Sequence, residues 1–535
     1  LFIVFTTPSL SAMKFSSAVV LSLGCCLVSK AEGQNTDYQP HYLVGLLNYP
    51  QSYVPEVFKN HTSGTYLKTG PYENWIADPN VPFADIPAVG FSDIESYYGA
   101  DGEKVLGEFF CLSDNGFGTS VNSADYPLNI VHMRIQKPFA YGHGGATHEP
   151  YTETENLNTV LIQDPHKLIK WENGADIQVN YKVPDDTWND YREMRVLTGR
   201  DIDPEGLAVI SQTCAVLGEE LMISIMTINP STGVILSPFV RTPDIDEAGN
   251  FNGKFLSTIS DKTHCDITVL ENSPDDCNVV DLSILEKSEY REQNKSGGYE
   301  GMSKLADGTI AAFIEKQVTN SDEPGVRVYK VQPGNCGIGE KPTFESFMGF
   351  YPLEINAGNI ADVSSIPGSS NLVVVIERNG YPGLGHPVGH DFPSPVMPAN
   401  KVCVVDLSDT DDKMVFRNKK CILNYHIISD PWDVDSNGIY RYAQTQATNE
   451  QLIVVDDYCV VAGTDTNYPW TNQLDLDLTE IPFAQEVTDG RFMVVCFEEP
   501  IFSLDYDLMH DVKTTEQSLV SSASHVKSMT TSMIV

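Results

Sequence analysis

Tyr299-Glu300-Gly301-Met302, then Ala306-Asp307-Gly308, then Ile310-Ala311-Ala312-Phe313-Ile314-Glu315 is the stretch that decides the fold. An acid-bearing step leads a short strand, a glycine turn follows, and an apolar strand ends in an acid. The unit recurs as Ile360-Ala361-Asp362-Val363, Pro367-Gly368 and Leu372-Val373-Val374-Val375-Ile376-Glu377. It recurs again as Asn449-Glu450-Gln451-Leu452, Asp456-Asp457 and Val460-Val461-Ala462-Gly463-Thr464-Asp465. The two acids stand 15 residues apart in all three, from 300 to 315, 362 to 377 and 450 to 465. Two longer copies precede them, each with a spacing of 21. Phe91-Ser92-Asp93-Ile94 leads to Phe109-Phe110-Cys111-Leu112-Ser113-Asp114, and Asp203-Pro204-Glu205-Gly206-Leu207 leads to Leu221-Met222-Ile223-Ser224-Ile225-Met226. In the last copy Met226 stands where the terminal acid belongs.

Strand, turn and strand repeated through an all-β chain predict a single β-propeller. Five copies are visible, and the interval between Glu205 and Glu300 has room for another, so six or seven blades are expected. In a propeller the inner strands line a central channel, and their ends face its mouth. A carboxylate there has no apolar role, and several on one axis repel one another unless a divalent cation offsets them. Calcium suits a ring of carboxylate oxygens better than magnesium, which needs a smaller octahedral site. The alternative, that these acids are ordinary turn residues, fits one copy more readily than five.

The composition agrees. Of 535 residues 41% are hydrophobic and 10% aromatic, with 39 Gly and 32 Pro, as many short strands joined by turns require. Against 34 Lys+Arg stand 73 Asp+Glu, a formal net charge of -39. Such a surface repels nucleic acid and anionic membranes and attracts cations. Solubility accounts for most of these charges; a calcium site needs only a few.

Met13-Lys14, an apolar run from Phe15 to Val28 and Ser29-Lys30-Ala31 read as a signal peptide cleaved after Ala31, with residues 1–12 upstream of it. That run is too short to span a bilayer, so a secreted protein without a membrane anchor is expected, as a monomer. The propeller is expected over 40–505 and a disordered Ser/Thr-rich tail over 506–535. Nine cysteines follow the signal; in an oxidising compartment most should pair. Proximity suggests Cys265–Cys277, Cys403–Cys421 and Cys459–Cys496, with one cysteine left free or paired outside the chain. Asn60 and Asn294 open glycosylation triplets.

No G-x-S-x-G, H-E-x-x-H or P-loop signature occurs, which disfavours serine hydrolases of the α/β type, zincins and P-loop enzymes. Asp433, Asp435, Asn437 and Gly438 open like an EF-hand loop, but Gln444 stands at the twelfth position, so a hairpin turn is the simpler reading. His386, His390 and Asp391 lie in a Gly/Pro-rich stretch and read as a loop over the channel mouth.

These motifs resemble a known family, the phytase-like domain described as having esterase-like activity, a relative of the calcium-dependent β-propeller phytases. The matching residues are Gly90-Phe91-Ser92-Asp93-Ile94 with Leu112-Ser113-Asp114-Asn115-Gly116, Asp203-Pro204-Glu205-Gly206-Leu207-Ala208, Gly298-Tyr299-Glu300-Gly301-Met302 with Asp307-Gly308, Ile376-Glu377-Arg378-Asn379, and Asp465-Thr466-Asn467. They spread in order from about 85 to about 500. The resemblance implies a calcium-centred propeller that hydrolyses phosphate monoesters or related esters. It makes Asp114, Glu205, Glu300, Glu315, Asp362, Glu377 and Asp465 metal ligands or bases. It gives Glu300, Glu315 and Arg378 catalytic roles, with Arg378 holding the substrate anion. The chain departs from the pattern at Ile225-Met226, where the family has an acid pair, and at Asn115, where it often has Arg. A lactonase or arylesterase remains an alternative, with Asn115 and Asn467 at strand ends, and so does a non-catalytic calcium-stabilised binding propeller, which the loss at Met226 favours.

Overall fold

The computed structural model describes residues 41–49, 91–114, 126–135, 154–170, 173, 191–258, 290–293, 297–319, 321–354, 357–379, 386–387, 399–425, 428–430, 441–442, 449–465, 476–477 and 490–501. The signal peptide, the Ser/Thr-rich tail, Cys265, Cys277, Asn60, Asn294, Asn115, Asn467, His390, Asp391 and the loop at Asp433 lie outside them.

Five four-stranded antiparallel blades account for most of the strands. Blade 1 runs Phe91–Tyr98, Lys104–Ser113, Asn129–Ile135 and Thr154–Leu161 from the axis outward. Blade 2 runs Pro204–Ser211, Cys214–Glu219, Ser224–Asn229 and Val240–Arg241, with Val234–Ile235 as an added edge. Blade 3 runs Tyr299–Lys304, Ile310–Ile314, Val326–Gln332 and Thr343–Tyr351. Blade 4 runs Asn359–Ser365, Leu372–Arg378, Asn400–Asp406 and Lys419–Asn424. Blade 5 runs Asn449–Val454, Cys459–Thr464 and Gly490–Phe497, and takes its outer strand, His41–Tyr49, from the beginning of the propeller. That exchange pairs the first strand with the last and closes the ring.

The blade count corrects the expected six or seven to five. The inner strands touch in the cyclic order 1-2-3-4-5-1, which leaves no gap for a sixth. The interval between Glu205 and Glu300 does hold further strands, Pro243–Ile245, Phe251–Thr258 and Tyr290–Gln293, but they form a separate three-stranded sheet with one parallel pairing. Arg327, fully buried in blade 3, pins it through Asp244 at 2.9 Å, and Tyr329 OH donates to Pro243 O at 2.9 Å.

The continuous apolar runs follow from burial on both blade faces. Successive side chains of a strand point to opposite faces, and here each face meets a neighbouring blade. Leu207 and Val209 enter the seam with blade 1, while Ala208 between them enters the seam with blade 3. Val373 and Val375 pack towards blade 3, and Val374 and Ile376 towards blade 5. The core is therefore five seams of interdigitated apolar side chains.

Three disulfides join described residues. Cys403–Cys421 and Cys459–Cys496, expected from proximity, join directly opposed partners on adjacent strands. Cys214–Cys336 spans 122 residues and ties blade 2 to the outer hairpin of blade 3, a pairing that proximity in sequence cannot indicate. Cys111 is a buried free thiol.

Candidate metal and active site

All five inner strands carry a β-bulge at the same place, near their first residue. The ladder register slips between Phe91 and Asp93, Pro204 and Gly206, Tyr299 and Gly301, Ile360 and Asp362, and Asn449 and Gln451. A bulge adds one residue to one strand and re-aims its side chain. The bulged residues are Ser92, Glu205, Glu300, Ala361 and Glu450, so three blades place a glutamate there. Beside them, at the ends of the second strands, lie Asp114, Glu220, Glu315, Arg378 and Asp465, one per blade. Gly301 permits the close approach: a Cβ there would stand 2.6 Å from Val363 Cγ2 and 2.8 Å from its backbone nitrogen.

Two carboxylate triplets result, each straddling a seam. Asp114 of blade 1 meets Asp203 and Glu205 of blade 2, and Glu220 of blade 2 meets Glu300 and Glu315 of blade 3; within each triplet the oxygens lie within 4.8 Å of one another. Arg378 links the second triplet to Glu450, with Nη2 2.6 Å from Glu450 and 3.6 Å from Glu300. Lys316 adds a second cation, 2.5 Å from Glu315. Gly297 N donates to Glu220 and Asn359 Nδ2 to Glu315, which hold those carboxylates in place.

Seven acids, most of them buried, thus crowd around two cations. Burial pushes Glu205 well up, and Asp203, Asp114, Glu300 and Glu220 push it further. Burial followed by Glu315 raises Glu300 well up against the opposing pull of Arg378. Glu220 is pushed up to about 7, by burial and then by Glu315. Glu450 is raised by burial despite Arg378. Burial alone would weaken the charge on Arg378; Glu450, Glu300, Glu315 and Glu205 outweigh it and keep the guanidinium charged. These carboxyls must take up protons or share a cation. Glu300 Oε2 is buried and has no hydrogen-bond partner among the described residues, nor has Arg378 Nε. Clustered hard oxygens with an orphaned one among them fit a calcium ion.

Of the sequence-predicted residues, Asp114, Glu205, Glu300, Glu315 and Arg378 come together here, and register puts Asp465 at the equivalent position of blade 5. Asp362 and Glu377 are one position away and serve other partners. Asp362 accepts from Val363 N at 2.6 Å and from Leu452 N of blade 5 at 2.6 Å. Glu377 accepts from Tyr351 OH at 2.6 Å and Glu354 N at 2.9 Å and pairs with Lys419. The bulge in blade 4 falls on Ala361, and a slip of one residue sends a side chain to the other face.

Met226 is not a lost ligand. It sits in the third strand of blade 2, opposite Leu217, and packs into the core between blades 1 and 2. The second strand ends at Glu219-Glu220, which restores the acid pair. Glu219 binds the turn, accepting from Asp203 N, Leu221 N and Met222 N, and Glu220 enters the site. Asp203, Glu220 and Glu450 are therefore the site residues missing from the sequence prediction. The signal for Glu220 was present, since 205 to 220 is again 15. Asn400, opposite Arg378 in the ladder, is also new: it is buried, and neither end of its amide is hydrogen-bonded among the described residues.

A five-bladed propeller with a buried acidic mouth and one bridging arginine is the class that fold and site define. The family model described as "Phytase-like: Esterase-like activity of phytase" matches residues 87–456, and the chain belongs to that family. No curated protein matches the chain in sequence. Solved structures similar to it include the RRP9 WD40 repeats, at 9% identity over 76% of this chain and 94% of that one, with a TM-score of 0.24. The phage phi92 endosialidase is 9% identical over 78% of this chain and 52% of that one, with a TM-score of 0.25. The PQQ-bound aldose sugar dehydrogenase of Streptomyces coelicolor is 10% identical over 55% and 93%, with a TM-score of 0.18. The five-blade architecture rests on strand pairing and not on these likenesses.

Proposed function

We propose that this chain is a secreted, calcium-dependent hydrolase of phosphate monoesters or related esters. The observation that carries the proposal is the pair of carboxylate triplets joined to Arg378 at one mouth of the channel. Asp114, Asp203 and Glu205 would hold one calcium and Glu220, Glu300 and Glu315 another. Bound there, calcium would supply positive charge for the substrate oxygens and acidity for a water molecule. Arg378 orients the substrate anion through donors that Glu450 and Glu300 do not saturate. Glu300, with one oxygen unpartnered, takes the proton from the attacking water.

The purely binding reading drew its support from Met226, and that support is gone. Three disulfides favour an oxidising compartment and so secretion. No helix among the described residues is long and apolar enough to cross a membrane. The test is hydrolysis of an aryl phosphate and an aryl carboxylate ester, with calcium and with excess chelator. Chelator-sensitive phosphate release is expected. Turnover of the carboxylate ester alone would shift the reading to a lactonase-type enzyme, and silence on both would refute hydrolysis.

A further inference from the structure

The far end of the channel holds a second site. Between the ends of the inner strands opposite the acidic mouth lies a cavity of about 300 Å³, lined by Glu95, Lys104, Ser303, Lys304 and Ser364 among others. Blades 1, 3, 4 and 5 all contribute to its wall, and Ile210 of blade 2 accepts from Lys304 beside it. In so acidic a chain, two half-buried lysines at one cavity call for an explanation.

Their partners sharpen the point. Lys316, Lys330, Lys401 and Lys419 each meet a carboxylate. Lys104 and Lys304 do not, among the described residues. Lys104 Nζ donates to the carbonyl of Val454 at 2.8 Å, and Lys304 Nζ to that of Ile210 at 3.0 Å. Each ammonium has three donors, so two per lysine are left by these bonds. Lys304 also lies over the Tyr98 ring, 4.7 Å from its centre, which fixes it against the wall. Glu95 shares the cavity, but its two oxygens already accept from Ser303 Oγ and Ser96 N. Glu103, exposed at the rim, is screened by solvent. Ser364 Oγ accepts from Val454 N and keeps its own proton to donate. Burial pushes Lys104 down to about 8 against the opposing pull of Glu95 and Asp456, and lowers Lys304 against the pull of Glu95.

We propose that this cavity binds a small oxyanion, held between Lys104 and Lys304 with Ser364 as a further donor. Inorganic phosphate and short carboxylates share the required chemistry, a compact negative charge with several acceptor oxygens. The inference does not depend on hydrolysis at the acidic mouth, and its test keeps the two apart.

With chelator present the acidic mouth repels anions, so phosphate binding reports the far cavity. The full protein is treated with a small amine-acylating reagent, with and without sodium phosphate or sodium acetate, and modified lysines are mapped by mass spectrometry. At ten times its dissociation constant the bound anion slows acylation of Lys104 and Lys304 about ten-fold, while surface Lys254 and Lys413 are unaffected. Protection by phosphate alone assigns a tetrahedral anion; protection by acetate as well assigns oxyanions generally. The same anion raises Tm in wild type and not in the Lys104→Met/Lys304→Met variant, whose calcium-dependent hydrolysis is unchanged. No protection by either anion overturns the proposal, and so does protection that Lys254 and Lys413 share equally. The labelling experiment uses wild-type protein and decides the matter even if the double variant does not fold.

Discussion

The two ends of one channel are built from the same five strands and carry opposite chemistry. At the bulged end Glu205, Glu300 and Glu450 face Arg378 across the axis. At the other end Lys104 and Lys304 meet backbone carbonyls, with a single buried carboxylate, Glu95, beside them. The difference lies in how the strands stop. A bulge brings an extra, short-tethered carboxylate to the axis, where it can join a rigid cation site. At the far side, where the inner strands of only blades 1 and 2 slip register, long ammonium side chains reach a cavity instead. On the two proposals above, one scaffold makes a place for a metal and a place for an anion, separated by the length of a strand.

The comparison breaks most visibly at the acidic mouth. Arg378→Ala is expected to lower kcat/KM for an aryl phosphate by about 10²–10³, as loss of a charged donor to the transition state does. The Lys104→Met/Lys304→Met variant should leave kcat/KM unaltered; equal losses in the two would mean that the ends are not independent. Calcium at a hundred times its dissociation constant should stabilise wild type by about 2.7 kcal/mol for each site filled. A calorimetric scan of Glu205→Gln/Glu300→Gln should show little of that gain.

Gly301→Val comes next, with an expected cost of about 1–3 kcal/mol from overpacking against Val363. Chemical denaturation would measure it, and a neutral result would mean that blades 3 and 4 are not in close contact at the bulge. The calcium-free protein should also lose stability as pH rises. Glu220 at one end and Glu95 at the other are both raised to about 7, chiefly by burial. In the interval from about 4.5 to 7 the folded state holds protons that the unfolded chain has released, so stability falls with pH there. Melting at pH 5 and pH 7.5 with chelator tests the sign, and calcium should narrow the difference by compensating the mouth but not Glu95. The smallest effect belongs to Met226→Leu, a volume-conserving swap in the core expected to cost under about 1.5 kcal/mol. It should leave calcium binding intact in a titration, which a residue at the metal site would not.

Much of this was legible in the chain. The five repeat copies are the first strands of the five blades, and their apolar runs mark strands buried on both faces. Asp114 and Glu315 were readable as acids that end an apolar strand, Glu205 and Glu300 from the acid-bearing step that opens each copy, and Arg378 from the family resemblance. The second strand of blade 2 was passed over because Leu221 to Met226 is the longer apolar run, although Cys214–Glu219 forms the strand.

What the sequence determined by itself is periodic and local: strands, turns, the excess of acid, and the two disulfides between neighbouring strands. Tertiary structure alone decided the blade count, because closure depends on which inner strands touch and not on how many residues lie between repeats. It also decided which acids share a site. A bulge shifts side chains by one position, so Glu220 enters while Glu219 binds its own turn, and Asp362 and Glu377 fasten one blade to the next. The lysine cavity was out of reach for the same reason, since Lys104 and Lys304 are 200 residues apart and meet only when the ring closes.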